Sequence, residues 1–166
     1  QGIIAVIDDY EYVDYKTMLG DNVVVMLDHL EDPHNFGAII RTCEALGIDG
    51  IIIPNDRSVN INLTVVKTSV GAIYNMPIIR VVNLNNTLDK LKSIGYWIVG
   101  TDMVGTDYTE IDYNMPVCLV IGNEGKGISN IVRKNCDEIV SLPMKGHINS
   151  LNASVAAAIL IYEMGD

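Results

Sequence analysis

Cysteine is scarce and irregularly placed: Cys43, Cys118 and Cys136 are the only three in 166 residues. Their odd number and the lack of any C-x-x-C spacing exclude a disulfide framework and argue against a zinc site. Reduced, intracellular thiols are the expected state. No apolar run approaches the roughly 18–20 residues that a membrane-spanning helix needs. The N-terminus also lacks the basic, apolar and small-residue pattern of a secretory signal. A cytoplasmic protein is expected, without membrane association. The chain starts at Gln1 rather than Met, so an N-terminal domain is expected to be absent from it.

Positive charge is also in short supply. Eleven Lys and Arg stand against 21 Asp and Glu, a formal net charge of −10. That sum counts against nucleic-acid binding, because Lys and Arg neutralising phosphates supply most non-specific affinity. The distribution points the other way. Acid concentrates in Asp8, Asp9, Glu11 and Asp14 and in Asp107, Glu110 and Asp112, whereas Arg41, Arg57, Lys67, Lys126 and Lys145 lie in or beside polar motifs. A local basic surface is compatible with the sum.

What is present is a single domain's worth of ordinary globular sequence, 49% hydrophobic and 19% charged. Residues 1–22 read as a lead-in: an apolar run from Ile3 to Ile7, acids alternating with Tyr10, Tyr12 and Tyr15, and a Gly20-Asp21-Asn22 turn. Val23 to Leu27, Ile51 to Ile53, Ile78 to Val82, Tyr96 to Val99, Val117 to Ile121 and Glu138 to Leu142 predict strands, most of them apolar enough to be buried on both faces. Asp32-Pro33 predicts a capped helix start, followed by a core stripe of Phe36, Ile39, Ile40, Cys43 and Leu46. Arg41 lies off that stripe, near the small residues Gly37, Ala38 and Ala45, where something other than solvent could approach. Residues 59–75 read as helical around a conspicuous Gly71, Leu84 to Ile94 as a helix with Leu88, Leu91 and Ile94 inward, and 103–116 as an acidic surface loop. Alternating strands and helices imply an α/β fold with a mostly parallel sheet flanked by helices.

Ligands of such sheets sit outside the carboxyl ends of the strands. Three motifs stand there: Asn35 with Arg41, Gly122 to Gly127, and Met144 to Asn152. Gly122-Asn123-Glu124-Gly125-Lys126-Gly127 has neither dinucleotide nor P-loop spacing. It reads as a turn in which glycines take positive φ, except that a turn has no need of Glu124. The segment before the apolar helix of Val155 to Tyr162 carries Lys145, His147, Asn149, Ser150, Asn152 and Ser154. Helix capping explains one such residue; three Ser and Asn exceed it and favour a polar ligand. His29, His34 and His147 lack metal-ligand spacing, and no metal is expected. No serine sits in a G-x-S-x-G frame, and Cys43 lies on the core stripe rather than in a nucleophile's setting.

Asp32 to Thr42, Ile121 to Gly127, and Leu142-Pro143-Met144 with Ser150 to Ala156 resemble, in order and spacing, the three motifs of the SpoU (TrmH) branch of the SPOUT RNA 2′-O-ribose methyltransferases. The resemblance spans about residues 23–163. It implies a methyltransferase domain over 23–166, a C-terminal deep trefoil knot, S-adenosylmethionine as cofactor, RNA as substrate and a homodimer. Asp56-Arg57-Ser58, Lys67 to Ala72 and Pro77 to Leu84 look most like enzymes that methylate a guanosine ribose in large-subunit ribosomal RNA and that carry an N-terminal RNA-binding domain. By the same resemblance Arg41 is the catalytic residue, with Asn35 and Ser150 holding phosphate and Arg, Glu124 orienting Arg41, and Asn152 supporting the cofactor loop. Thr101, Ile121, Gly122, Gly125, Leu142, Met144 and Leu151 would bind the cofactor. Lys145 and His147 are candidates for RNA contact, a solvated loop being the equal alternative; Asn149 has no assigned role. A non-catalytic binding module acting in assembly or regulation, and a transfer RNA methyltransferase, are the alternatives.

Overall fold

A computed structural model describes residues 10–13 and 23–164. Most of the expected lead-in, including Ile3 to Ile7, Tyr15 and the Gly20 turn, lies outside the described residues. Six strands form one sheet: β1 (Val23–Asp28), β2 (Gly50–Pro54), β3 (Ile78–Val81), β4 (Trp97–Asp107), β5 (Val117–Gly122) and β6 (Glu138–Ser141). Their order is β3-β2-β1-β5-β4-β6, and every pairing is parallel.

Alternation along a strand sends successive side chains to opposite faces. In β1, Val23, Val25 and Leu27 join one core with Phe36, Ile39 and Ile40 of helix α1 (Pro33–Ala45) and Leu160 and Ile161 of α5 (Ala153–Met164). Val24 and Met26 join the other, with Leu88 and Leu91 of α3 (Leu84–Ser93) and Val132 of α4 (Asn130–Asn135). Two faces thus need apolar partners from one strand, which is why β1 and β5 read as unbroken hydrophobic runs. Among the described residues no helix is long and apolar enough to cross a membrane.

α1 begins as its sequence dictates. The Asp32 carboxylate accepts the His34 N–H at 2.9 Å, and Pro33 occupies the first turn, where no N–H is needed. The face beside Arg41 is not open at Gly37. A Cβ there would lie 1.8 Å from Thr68 Oγ1, so Gly37 is the contact point for α2 (Leu63–Thr68).

Three further expectations change. The helical stretch over 59–75 divides into α2 and a short 3-10 turn at Ala72–Tyr74, because Val70 (φ 53°) and Gly71 (φ 84°) are both left-handed and cannot continue a right-handed helix. Ile94 is 50% exposed, since α3 stops at Ser93 and Ile94 falls beyond its buried face. The surface loop over 103–116 is strand in its first third: β4 continues to Asp107, with both Thr101 and Thr106 in register with Val140. The irregularity pushes Asp102 to Gly105 out of the ladder, and it gives that segment its loop-like composition.

Cys43 and Cys118 are wholly buried, and burial raises both thiols; burial also pushes Cys136 up to about 11. All three are unpaired. A raised thiol pKa leaves little thiolate at neutral pH. The native chain should therefore react slowly with a thiol reagent, Cys136 first, and fully once denatured, as mass spectrometry of labelled protein will show. Gly37→Ala should cost about 1–3 kcal/mol by overpacking against Thr68, read as a lower denaturation midpoint.

Candidate functional site

Carboxyl ends of β4, β5 and β6 surround a cavity of about 440 Å³. Thr101 to Met103 of β4, where the ladder breaks, form one wall, the Gly122–Gly127 loop a second, and the segments around Leu142 to Met144 and Asn149 to Asn152 a third. Val140, Ala156 and Leu160 give it an apolar base. An apolar base with a rim of backbone and polar groups suits a small ligand of mixed polarity.

The glycine loop is closed by backbone chemistry. Asn123 and Gly127 exchange N–H···O bonds of 3.0 and 2.9 Å, and Asn123 Oδ1 accepts the N–H groups of Gly125 at 3.0 Å and Lys126 at 3.3 Å. Gly122 cannot carry a side chain, because a Cβ would lie 2.1 Å from the Gly127 carbonyl carbon. Gly127 has φ 66°. The tight turn expected from the glycines is therefore real, and it holds Glu124 at its exposed tip.

Within the single chain, Glu124 bonds to Asn35 and Asp32 rather than to Arg41. Its Oε1 accepts from Asn35 Nδ2 at 3.1 Å and from the Asp32 N–H at 3.4 Å, so it joins the loop to the first turn of α1. A carboxylate is favoured there by the helix dipole. Within one chain, helix geometry separates the two residues: six residues beyond Asn35, Arg41 lies about 9 Å along the axis and about 120° around it. Arg41 is exposed, lies outside the cavity lining, and has no hydrogen-bond or ion-pair partner among the described residues.

Asn152 is a cap. Its Oδ1 accepts the Ser154 N–H at 2.9 Å and the Ser154 hydroxyl at 2.6 Å, which starts α5 and accounts for two of the three polar residues that exceed one cap by composition. Ser150 is exposed, lines the cavity and makes no hydrogen bond among the described residues. Thr101 donates its hydroxyl proton to the Val120 carbonyl at 3.0 Å. Lys145 and His147 are exposed and outside the lining, whereas Asn149 is part of it.

Thr101, Ile121, Gly122, Gly125, Leu142, Met144 and Leu151, predicted from four separate stretches, all line the one cavity, as do Glu124, Ser150 and Asn152. Asn35 is buried and reaches it only through Glu124. The sequence reading missed Asp102, which lines the cavity and pairs with Arg133 of α4. Its signal was its place at the end of the Gly100-Thr101 strand run. Also missed was Asp28, which ends β1 opposite Gly122 in register; His29, which follows it, was weighed only as a metal ligand.

Comparison with known proteins places this geometry in context. A protein of Staphylococcus saprophyticus assigned to the TrmH family of tRNA/rRNA methyltransferases is 50% identical over 99% of this chain and 69% of its own length. The SpoU methyltransferase AviRb of Streptomyces viridochromogenes, solved with the cofactor AdoMet, superposes with a TM-score of 0.86 at 33% identity. That match covers 93% of this chain and 64% of AviRb, so the present chain spans less than two thirds of the solved protein. An RNA 2′-O ribose methyltransferase structure, 25% identical, covers 96% of this chain and 59% of its own with a TM-score of 0.77. The family model for the SpoU rRNA methylases matches residues 22–162. On sequence and fold together, this chain belongs to the SpoU rRNA methylase family.

Proposed function

We propose that this domain transfers a methyl group from S-adenosylmethionine to a ribose 2′-hydroxyl of RNA, with a guanosine of large-subunit ribosomal RNA as the target. One observation carries the reading: the seven residues predicted to bind the cofactor converge, from separate parts of the chain, on a single cavity beside Glu124 and Ser150. The relatives' names support the cofactor and the RNA substrate. The 2′-O position rests on the motif resemblance and on the ribose methyltransferase neighbour.

The cavity's chemistry fits the cofactor. Val140, Ala156 and Leu160 offer apolar surface for an adenine ring, the turn-forming loop exposes backbone close to a ligand, and Glu124 favours a cation nearby. When bound, S-adenosylmethionine supplies a methyl group already activated on a sulfonium. Ser150 positions the ribose and phosphate, and Asn35, buried behind the rim, acts through its hydrogen bond to Glu124. Arg41 stabilises the developing alkoxide and the adjacent phosphate. It keeps its own proton, so the hydroxyl proton passes to solvent.

Arg41 lies outside the cavity of the single chain, as expected of a site completed by a second copy. A homodimer through α1 and α5 is the arrangement we propose. The two helices pack together, and Val155 and Tyr162 of α5 remain 48% and 60% exposed. The chain after β6 is proposed to pass through the family's trefoil knot. Cytoplasmic location is part of the same reading.

Calorimetric titration should show saturable binding of S-adenosylmethionine and none of NAD; a folded chain that binds neither would overturn the reading. Arg41→Ala should keep the fold and cofactor affinity and lose about 10²–10³-fold in methyl transfer. Retained transfer would remove Arg41 from the chemistry. Cofactor binding by the wild type without transfer to any ribosomal or transfer RNA would favour a non-catalytic module. Mapping the methylated nucleotide decides between the two RNAs.

A further inference from the structure

The end of β1 carries an arrangement that the reaction as drawn does not use. Asp28 is 1% exposed although it is a carboxylate. Its Oδ2 accepts the Ser129 N–H at 2.6 Å, and its Oδ1 lies 2.5 Å from His29 Nδ1. A carboxylate only accepts, so the imidazole donates from Nδ1. His29 itself has φ 60°, a left-handed conformation that costs energy for a residue with a Cβ. Held in that conformation, its carbonyl accepts from Asn123 Nδ2 at 2.9 Å. Asn123 is the residue whose Oδ1 and backbone close the glycine loop.

We propose that Asp28 and His29 are positioning residues that set the conformation of the Gly122–Gly127 loop, and so the affinity of the cavity for S-adenosylmethionine. The inference rests on the cofactor reading above. Two consecutive residues, Asp28 at the end of β1 and His29 just after it, grip the loop at both ends. The His29 carbonyl holds Asn123 at its start, and the Asp28 carboxylate holds Ser129 just past its end. The imidazole–carboxylate bond ties the two grips together. Removing the imidazole frees the His29 backbone to leave φ 60°, which withdraws the acceptor from Asn123. Glu124, the next residue, then loses its fixed approach to Asn35. A buried carboxylate serving only the stability of β1 would not need a strained neighbour.

Two variants test the brace without removing the buried carboxylate. His29→Gly keeps the carbonyl and tolerates positive φ, but loses the imidazole. Asn123→Asp keeps the Oδ1 acceptor for Gly125 and Lys126 and loses the donor to His29. In both, hydrogen exchange at the amides of Gly125, Lys126 and Gly127, measured without cofactor, should accelerate about tenfold, as expected for one lost hydrogen bond. The KM for S-adenosylmethionine should rise by a similar factor, with the KM for RNA unchanged. Asp28→Ala should reproduce the loosened loop, and Asp28→Asn should restore part of the protection, because its amide can still accept from Ser129 and donate to His29. Unchanged loop exchange in both His29→Gly and Asn123→Asp overturns the brace. So does a uniform loss of protection across the sheet, which marks general destabilisation. If the wild type binds no S-adenosylmethionine, the cofactor reading fails, while the exchange measurement still decides the brace.

Discussion

The parallel pairing of β1 with β5 is the constraint on which the site depends. Six consecutive residues are in register, from Val23 with Val117 to Asp28 with Gly122. Because both strands run the same way, their carboxyl ends, and the two loops that follow, emerge side by side. Asp32 and Glu124, 92 residues apart in sequence, can then share a hydrogen bond, as can Asn35 and Glu124. A slip of one residue would turn every side chain of β1 to the wrong core. The distinct partners of Val25 and Met26 on the two faces exclude that slip.

From that pairing the cavity follows with little further specification. β4 lies on the other side of β5, and its irregularity between Thr101 and Thr106 displaces the chain at the height where β5 ends. β6 pairs with β4 and delivers Leu142 and Met144 to the same level. α5 then returns across the sheet to pack on α1 and β5, closing the base with Ala156 and Leu160. Rigidity at the rim comes from short closed rings of hydrogen bonds. The glycine loop has its Asn123–Gly127 pair, and the start of α5 has its Asn152–Ser154 pair.

Legibility in the sequence tracked burial. Strands covered on both faces announce themselves as runs of Val and Ile, so β1, β2, β3 and β5 were readable to within a residue or so. β4 was cut short because its second half pairs only with β6, and the exposed Met103, Val104 and Gly105 that interrupt the pairing look like loop. At the site, residues on the chain's own turns were legible because glycine, serine and asparagine report local backbone demands. Pairings between elements were not. Nothing local says that Glu124 bonds to Asn35 within its own chain, and only the placement of α1 beside the glycine loop shows it. Asp28 was invisible for the same reason: a single acid ending a strand looks solvated until β5 and α4 bury it.

The charge balance, which counted against an RNA substrate when summed, changes meaning once the sheet order is known. Arg57 follows β2, and Lys67 sits on α2, which packs against α1. Asp107 ends β4 and Glu110 and Asp112 follow it, on the other side of β1 and β5. Three strand spacings separate β2 from β4, about 14 Å. Salt at physiological strength screens exposed charges beyond about 8 Å. Charges on elements that far apart in the sheet act largely independently, so the net charge does not describe the surroundings of Arg57 or Lys67. A net charge of −10 is thus a sum over separate segments, with Arg57 and Lys67 on elements beside β1 and β2 and Asp107, Glu110 and Asp112 on the segment that leaves β4.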